Sequence, residues 1–209
     1  MADQYPPGLD ELNDVGAATV ALPQGTVMWR IHNTTSAFVL PWNQLRTWGP
    51  VASSRWEPHP LPPADYAPLG SAYVGRDVLT CLAEVFQLTR FVDVDAGAPY
   101  VTGFRLARDL VLADLTGEWL LRAGGSAQII FKEKARTNAW ARAIHGALPD
   151  LDGLVAPSAV LGGHDVVSLW TAAAFPSAPE MSVPLNSPAI IADIAAAARS
   201  IRFGSNVVL

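Results

Sequence analysis

The stretch GSAYVGRDVLTCLAEVFQL, residues 70–88, decides the reading of the chain. Ser71-Ala72-Tyr73-Val74 has the composition of a short strand. Gly75-Arg76-Asp77 breaks it. A helix is predicted to follow, with Asp77 as the N-cap whose carboxylate accepts from free backbone N–H groups. Val78, Leu82 and Val85 fall at helical spacing, with Leu79, Cys81 and Phe86 beside them. Glu84 is the one acid inside that apolar run. At about 100° per residue it falls at the border of the apolar stripe. A carboxylate there is either matched by a partner or used for chemistry, because an unpaired buried charge is unfavourable. Strand, break and amphipathic helix in this order point to an α/β chain.

Working outward, strands are predicted at 27–32, 100–106, 110–115, 151–156 (running into Pro157) and 166–170. Residues 89–94 are left open between strand and loop. The 110–115 run is near-continuously apolar, as in a strand buried on both faces. A short helix is predicted from Thr116 through Leu121, ended by Gly124-Gly125. Two helical pieces are predicted over 126–147. The second, Thr137 to Gly146, carries Trp140 and Ile144 on one face, and its His145 suits the negative end of the helix dipole. A C-terminal helix is expected with Ser187 as N-cap, Pro188 at its first position and Gly204 at its end. Residues 171–186 read as a linker with Pro176, Pro179 and Pro184. Residues 1–24 read as a short helix followed by a loop.

Residues 33–69 lack periodicity and hold three tryptophans (42, 48 and 56) and seven prolines. A loop of this length in a small domain is often functional. It contains Ser53-Ser54-Arg55-Trp56. Arg55 reads either as a surface residue packed on an indole or as an anion clamp, since a guanidinium presents a fork of donors. Arg30, central in the first predicted strand, reads on composition as a strand arginine facing solvent. His59, among prolines, is expected at the surface.

Composition bounds the function. The chain has 209 residues, a formal net charge of -5 and 16% charged residues, and half of it is hydrophobic. This suits one globular domain and argues against disorder. No basic cluster provides a footprint for nucleic acid or anionic lipid. Cys81 is the single cysteine, so no intrachain disulfide or Cys/His zinc site is expected. Neither a signal peptide nor a transmembrane span is read, and a cytoplasmic location is expected. There is no P-loop, no G-x-G-x-x-G after a strand, no H-E-x-x-H, and Ser158 is not in a G-x-S-x-G elbow, so that it reads first as a turn residue. What remains is Arg30, Arg55, Tyr73, Glu84 and Ser158: an α/β domain with a pocket suited to an anionic ligand.

The order of Trp29-Arg30-Ile31, Ser54-Arg55-Trp56, Gly70-Ser71-Ala72-Tyr73, Leu82-Ala83-Glu84-Val85 and Gly153-Leu154-Val155-Ala156-Pro157-Ser158 resembles the RES domain family over roughly residues 26–170. The resemblance divides the chain into an N-terminal extension, 1–25, and a RES-like catalytic domain, 26–209. It implies an α/β (α+β) fold similar to ADP-ribosyltransferases and NAD-dependent bacterial toxins. It further implies a toxin of a bacterial RES–Xre toxin–antitoxin pair that takes NAD⁺ as substrate, needs no metal or separate cofactor, and cleaves the nicotinamide–ribose bond. Glu84 would stabilise the developing charge, Arg30 and Arg55 would clamp the pyrophosphate, and Tyr73 and Ser158 would contact the ribose or nicotinamide. Water, phosphate or a protein side chain could accept ADP-ribose; protein ADP-ribosylation is the runner-up. An inactive module that only binds its antitoxin, and an enzyme acting on another nucleotide, are the other readings. The expected partner is a helix-turn-helix antitoxin covering the site, with the tryptophans of 42–56 at that interface or at the pocket rim.

Overall fold

The computed structural model describes residues 5–208. The elements run α1 (Leu9–Val15), β1 (Thr19–Leu22), β2 (Val27–Asn33), β3 (Trp48–Gly49), β4 (Ala64–Asp65), β5 (Ala72–Gly75), α2 (Val78–Val85), β6 (Phe91–Val92), β7 (Pro99–Arg105), β8 (Leu110–Asp114), α3 (Trp119–Arg122), α4 (Lys134–Ala147), β9 (Gly153–Pro157), β10 (Asp165–Leu169), β11 (Met181–Pro184), α5 (Ile191–Ser200) and β12 (Gly204–Ser205). Short 3₁₀ turns lie at Ala127–Phe131 and Ala172–Ala174.

Eight strands form one mixed sheet in the order β1-β8-β9-β10-β5-β2-β7-β11. The β8–β9 pair is parallel and the other neighbours are antiparallel. β2 pairs with β7 along its whole length, from Val27 opposite Arg105 to Asn33 opposite Pro99. Its pairing with β5 is reduced to Trp29 opposite Gly75. The sheet is therefore parted at its centre, and the two strands diverge on either side of that contact.

Alternate residues of a strand face opposite sides, and the apolar clusters follow this rule. On β9, Leu154 and Ala156 pack with Trp140, Ala141 and Ile144 of α4 and Leu12 of α1. On β2, Ile31 packs with Cys81 and Leu82 of α2 and Ile194 and Ala198 of α5. The intervening Val155 and Met28 join Phe104, Leu112 and Leu169 on the other side of the sheet. Two helical layers thus cover the two halves of the sheet separately, and the parting lies between them.

Several expectations change. Thr19–Leu22, read as loop, is β1, and Leu12 and β1 join the core and main sheet. Met181–Pro184, read as linker, is the edge strand β11; an edge strand tolerates proline because one side of its backbone needs no ladder donor. α4 begins at Lys134, three residues before Thr137. α5 begins at Ile191, because Ser187 caps a preceding turn through its carbonyl, and Gly204 lies in β12 paired with β6. His145 stands in the last turn of α4, as read from the sequence, and packs edge-on against Trp170, where burial lowers its pKa. No helix among the described residues is long and apolar enough to cross a membrane.

Candidate functional site

A cleft of about 270 Å³ opens where the sheet parts. β2 contributes Arg30 and Ile31, β5 contributes Tyr73, Val74 and Gly75, α2 contributes Thr80, Cys81 and Glu84, and the 53–56 loop and Lys134 close one side. The strand-to-helix turn is built as expected. Asp77 Oδ1 accepts from Thr80 N at 2.7 Å and caps α2. Gly75 allows the helix to approach, since a Cβ there would stand 2.9 Å from Cys81 Sγ.

Glu84 lines the cleft, partly buried, on the last turn of α2. Ser158 Oγ donates to Glu84 Oε1 at 2.6 Å and accepts from Val160 N at 3.1 Å and Leu161 N at 2.9 Å. Ser158 is only 5% exposed and its one hydroxyl proton points to Glu84. It therefore stands behind the carboxylate. This differs from the expectation that Ser158 itself contacts ribose or nicotinamide.

The two cations differ in how they are held. Arg30 Nη1 donates to Trp42 O at 2.6 Å and Gln44 O at 3.1 Å, both neutral acceptors. Burial, and secondarily the nearby Arg46 charge, push its pKa down to about 10, so it remains a cation at neutral pH. Arg30 also borders a second cavity of about 290 Å³ with His32, Arg46 and Ser71. Arg55 Nη1 donates to Lys132 O at 2.7 Å. Burial lowers the Arg55 pKa and the charge of Glu84 acts in the opposite sense, placing this cation and the carboxylate within electrostatic reach.

Tyr73 lines the cleft, but its hydroxyl is already engaged: it donates to Arg55 O and lies 3.5 Å from Glu57 Oε1. Burial, reinforced by the Glu57 charge, drives its pKa upward. The ring, and not the hydroxyl, is the part of Tyr73 free to meet a ligand.

A buried polar network behind the 46–59 loop escaped the sequence reading. Glu57 and His59 have no exposed surface, which corrects the surface placement of His59. The Glu57 carboxylate pairs with Arg46, accepts from Val51 N at 2.9 Å and lies 3.4 Å from His59 Nδ1. Its partners are 11, 6 and 2 residues away along an irregular loop, so no periodicity announces them. His164 meets Thr80 Oγ1 at 2.9 Å beside the cleft. Of the tryptophans, Trp56 is buried and lines the cleft, and Trp42 packs on Phe104 and Phe175. Of the three tryptophans at 42, 48 and 56, Trp48 is the exposed one, at 56%. Among the described residues, no group of three or more His, Cys, Asp and Glu side chains could hold a metal ion.

The RES domain family model matches residues 27–189, from the first residue of β2 to the turn before α5. The chain belongs to the RES domain family. Within the solved structures, this RES domain is similar to a chain of the M. tuberculosis MbcT–MbcA toxin–antitoxin complex, with a TM-score of 0.55 and 17% identity over 90% of this chain and 96% of that one. The likeness extends the shared fold beyond the family match, and the single mixed α/β domain is the fold that the resemblance implied. None of the curated proteins matches the chain. Arg30, Arg55, Tyr73 and Glu84 of this RES domain border one cleft, and Ser158 reaches it through Glu84.

Proposed function

We propose that this RES domain protein is the toxin of a toxin–antitoxin pair and that it breaks the nicotinamide–ribose bond of NAD⁺. The observation that carries the reading is the convergence, in one cleft, of a serine-held carboxylate with the cations Arg30 and Arg55. Arg30 and Arg55 would bind the pyrophosphate through charge-assisted hydrogen bonds. The Tyr73 ring would pack against the ribose end. As the glycosidic bond breaks, its electron pair moves onto the positively charged pyridinium nitrogen, so nicotinamide leaves neutral and needs no proton. Positive charge develops on the ribose, as in glycoside hydrolysis. Glu84, oriented by Ser158, stabilises that charge. An oxygen nucleophile then forms the new bond at the ribose carbon that lost nicotinamide, C1″ of the ADP-ribose product: water yields ADP-ribose and phosphate yields its 1″-phosphate, each losing a proton to solvent.

Family membership and the toxin–antitoxin neighbour support the toxin assignment. A helix-turn-helix antitoxin is the partner implied, and cytoplasmic NAD⁺ the pool consumed. The test is NAD⁺ loss and product identity by mass spectrometry, using purified protein freed of antitoxin, with and without phosphate and with Glu84→Gln as control. Glu84-dependent loss supports the reading, and the product separates hydrolysis from phosphorolysis. No loss overturns it in favour of protein ADP-ribosylation or an inactive binding module. Growth arrest on expression, relieved by the antitoxin, separates the enzyme from the binding module.

A further inference from the structure

From Ser54 to Glu57, each residue has a backbone polar group held by a side chain from another element. Asn138 Nδ2, near the start of α4, donates to Ser54 O at 3.2 Å. The Tyr73 hydroxyl of β5 donates to Arg55 O. Ser168 Oγ of β10 donates to Trp56 O at 3.0 Å. Asn138 Oδ1 accepts from Glu57 N at 3.0 Å. Asn138 therefore grips the chain immediately before and two residues after Arg55. A carboxamide is required for both contacts, because one needs a donor and the other an acceptor.

The segment so held is not relaxed. Trp56 has φ 59, a left-handed conformation that is disfavoured for a bulky side chain and persists only where the surroundings impose it. Trp56 is 2% exposed, Asn138 4% and Ser168 1%, so water does not compete for these hydrogen bonds. Glu57 anchors the far end of the segment through Arg46 and Val51 N. Gly49 leaves room for that anchor: a Cβ there would stand 2.3 Å from His59 Nδ1 and 2.8 Å from Glu57 Oε2. The cation carried by this backbone lines the cleft and feels the charge of Glu84. A supporting shell of this kind sets where a functional group stands before its ligand arrives.

We propose that Asn138 and Ser168 are positioning residues for Arg55, holding the strained 54–57 backbone so that the guanidinium is preset for the anionic group of the substrate. This rests on the NAD⁺ reading above. Holding a binding cation in place removes ordering from the binding step and so lowers KM more than it raises kcat.

The experiment is a double-mutant cycle on the full chain. Asn138→Asp keeps the acceptor and loses the donor; Ser168→Ala loses the Trp56 clamp and decides the matter if Asn138→Asp does not fold. In the wild-type background either change is expected to raise KM for NAD⁺ about tenfold while kcat changes less, the scale expected for a displaced substrate-holding group. In an Arg55→Ala background the same change is expected to leave KM where Arg55→Ala put it, since residues acting through one group are not additive. An unchanged KM in the wild-type background, or the same factor in both backgrounds, overturns the proposal. If the wild type neither binds nor cleaves NAD⁺, the functional reading fails instead. The positioning claim is then decided by hydrogen exchange of residues 53–57: faster exchange in the variant supports it, and unchanged exchange overturns it.

Discussion

Ser158 Oγ and Glu84 Oε1 lie 2.6 Å apart, although 74 residues separate them in the sequence. The serine follows directly on the last residue of β9, and the glutamate lies in the last turn of α2. Two backbone N–H groups, of Val160 and Leu161, donate to the serine oxygen and leave its proton directed at the carboxylate. The hydroxyl thus acts as an oriented donor to a negative charge, and the carboxylate is fixed at the cleft wall.

Glu84→Gln keeps the shape of the side chain and can still accept from Ser158, but removes the charge. We expect kcat to fall by about 10²–10³-fold, the scale for losing one electrostatic stabiliser, with NAD⁺ affinity changed little. Initial rates together with calorimetric titration check this. Normal turnover in this variant rules out the mechanism.

Ser158→Ala leaves Glu84 without its oriented donor and two backbone N–H groups without their acceptor. Hydrogen bonds to charged groups contribute roughly 1.5–3 kcal/mol, so kcat is expected to fall by about ten- to a hundredfold. A lowered Tm should accompany the loss. The two effects are read from kinetics and thermal melts of the same preparation, and an unaltered kcat would remove Ser158 from the site.

Arg30→Gln and Arg55→Ala should both raise KM, by about ten- to a hundredfold each if each guanidinium holds a phosphate oxygen. Only Arg30→Gln should also loosen the 42–44 segment, whose carbonyls it holds. Kinetics and hydrogen exchange over residues 42–44 make the comparison. Equal loosening of that segment in both variants would contradict the assignment.

Acid should weaken the 46–59 loop first through Glu57. Burial pushes the Glu57 carboxyl up, but the neighbouring His59 ring, the Arg46 hydrogen bond and charge and the Val51 N–H outweigh it and hold the pKa below the ordinary 4.5. A folded-state pKa below the unfolded one means stability present above pH 4.5 and lost as pH falls through the lowered value. Asp77 is lowered too, so the test compares Tm against pH for wild type and Glu57→Gln. The variant should be less stable at pH 7 and show a shallower acid decline. Parallel curves would exclude Glu57 from the acid sensitivity.

The local elements were legible in the order of residues alone. The strand, glycine break, Asp77 cap and α2 follow from side-chain period and capping chemistry within 19 residues, and they place Glu84 at the edge of the buried face. The ordered motifs placed Arg30, Arg55, Tyr73, Glu84 and Ser158 in one family, whose model spans residues 27–189. How these residues meet follows from the packing of the layers. The single Trp29–Gly75 pair that parts the sheet is a matter of strand order. So are the Glu84–Ser158 bond, the Asn138 grip on Ser54 and Glu57, and the edge position that lets β11 carry Pro184. The burial of Glu57 and His59 was illegible for the same reason. Periodicity reports which face of an element is apolar. Which polar groups end up beneath another element depends on contacts between residues far apart in the chain, and those form only when the layers close.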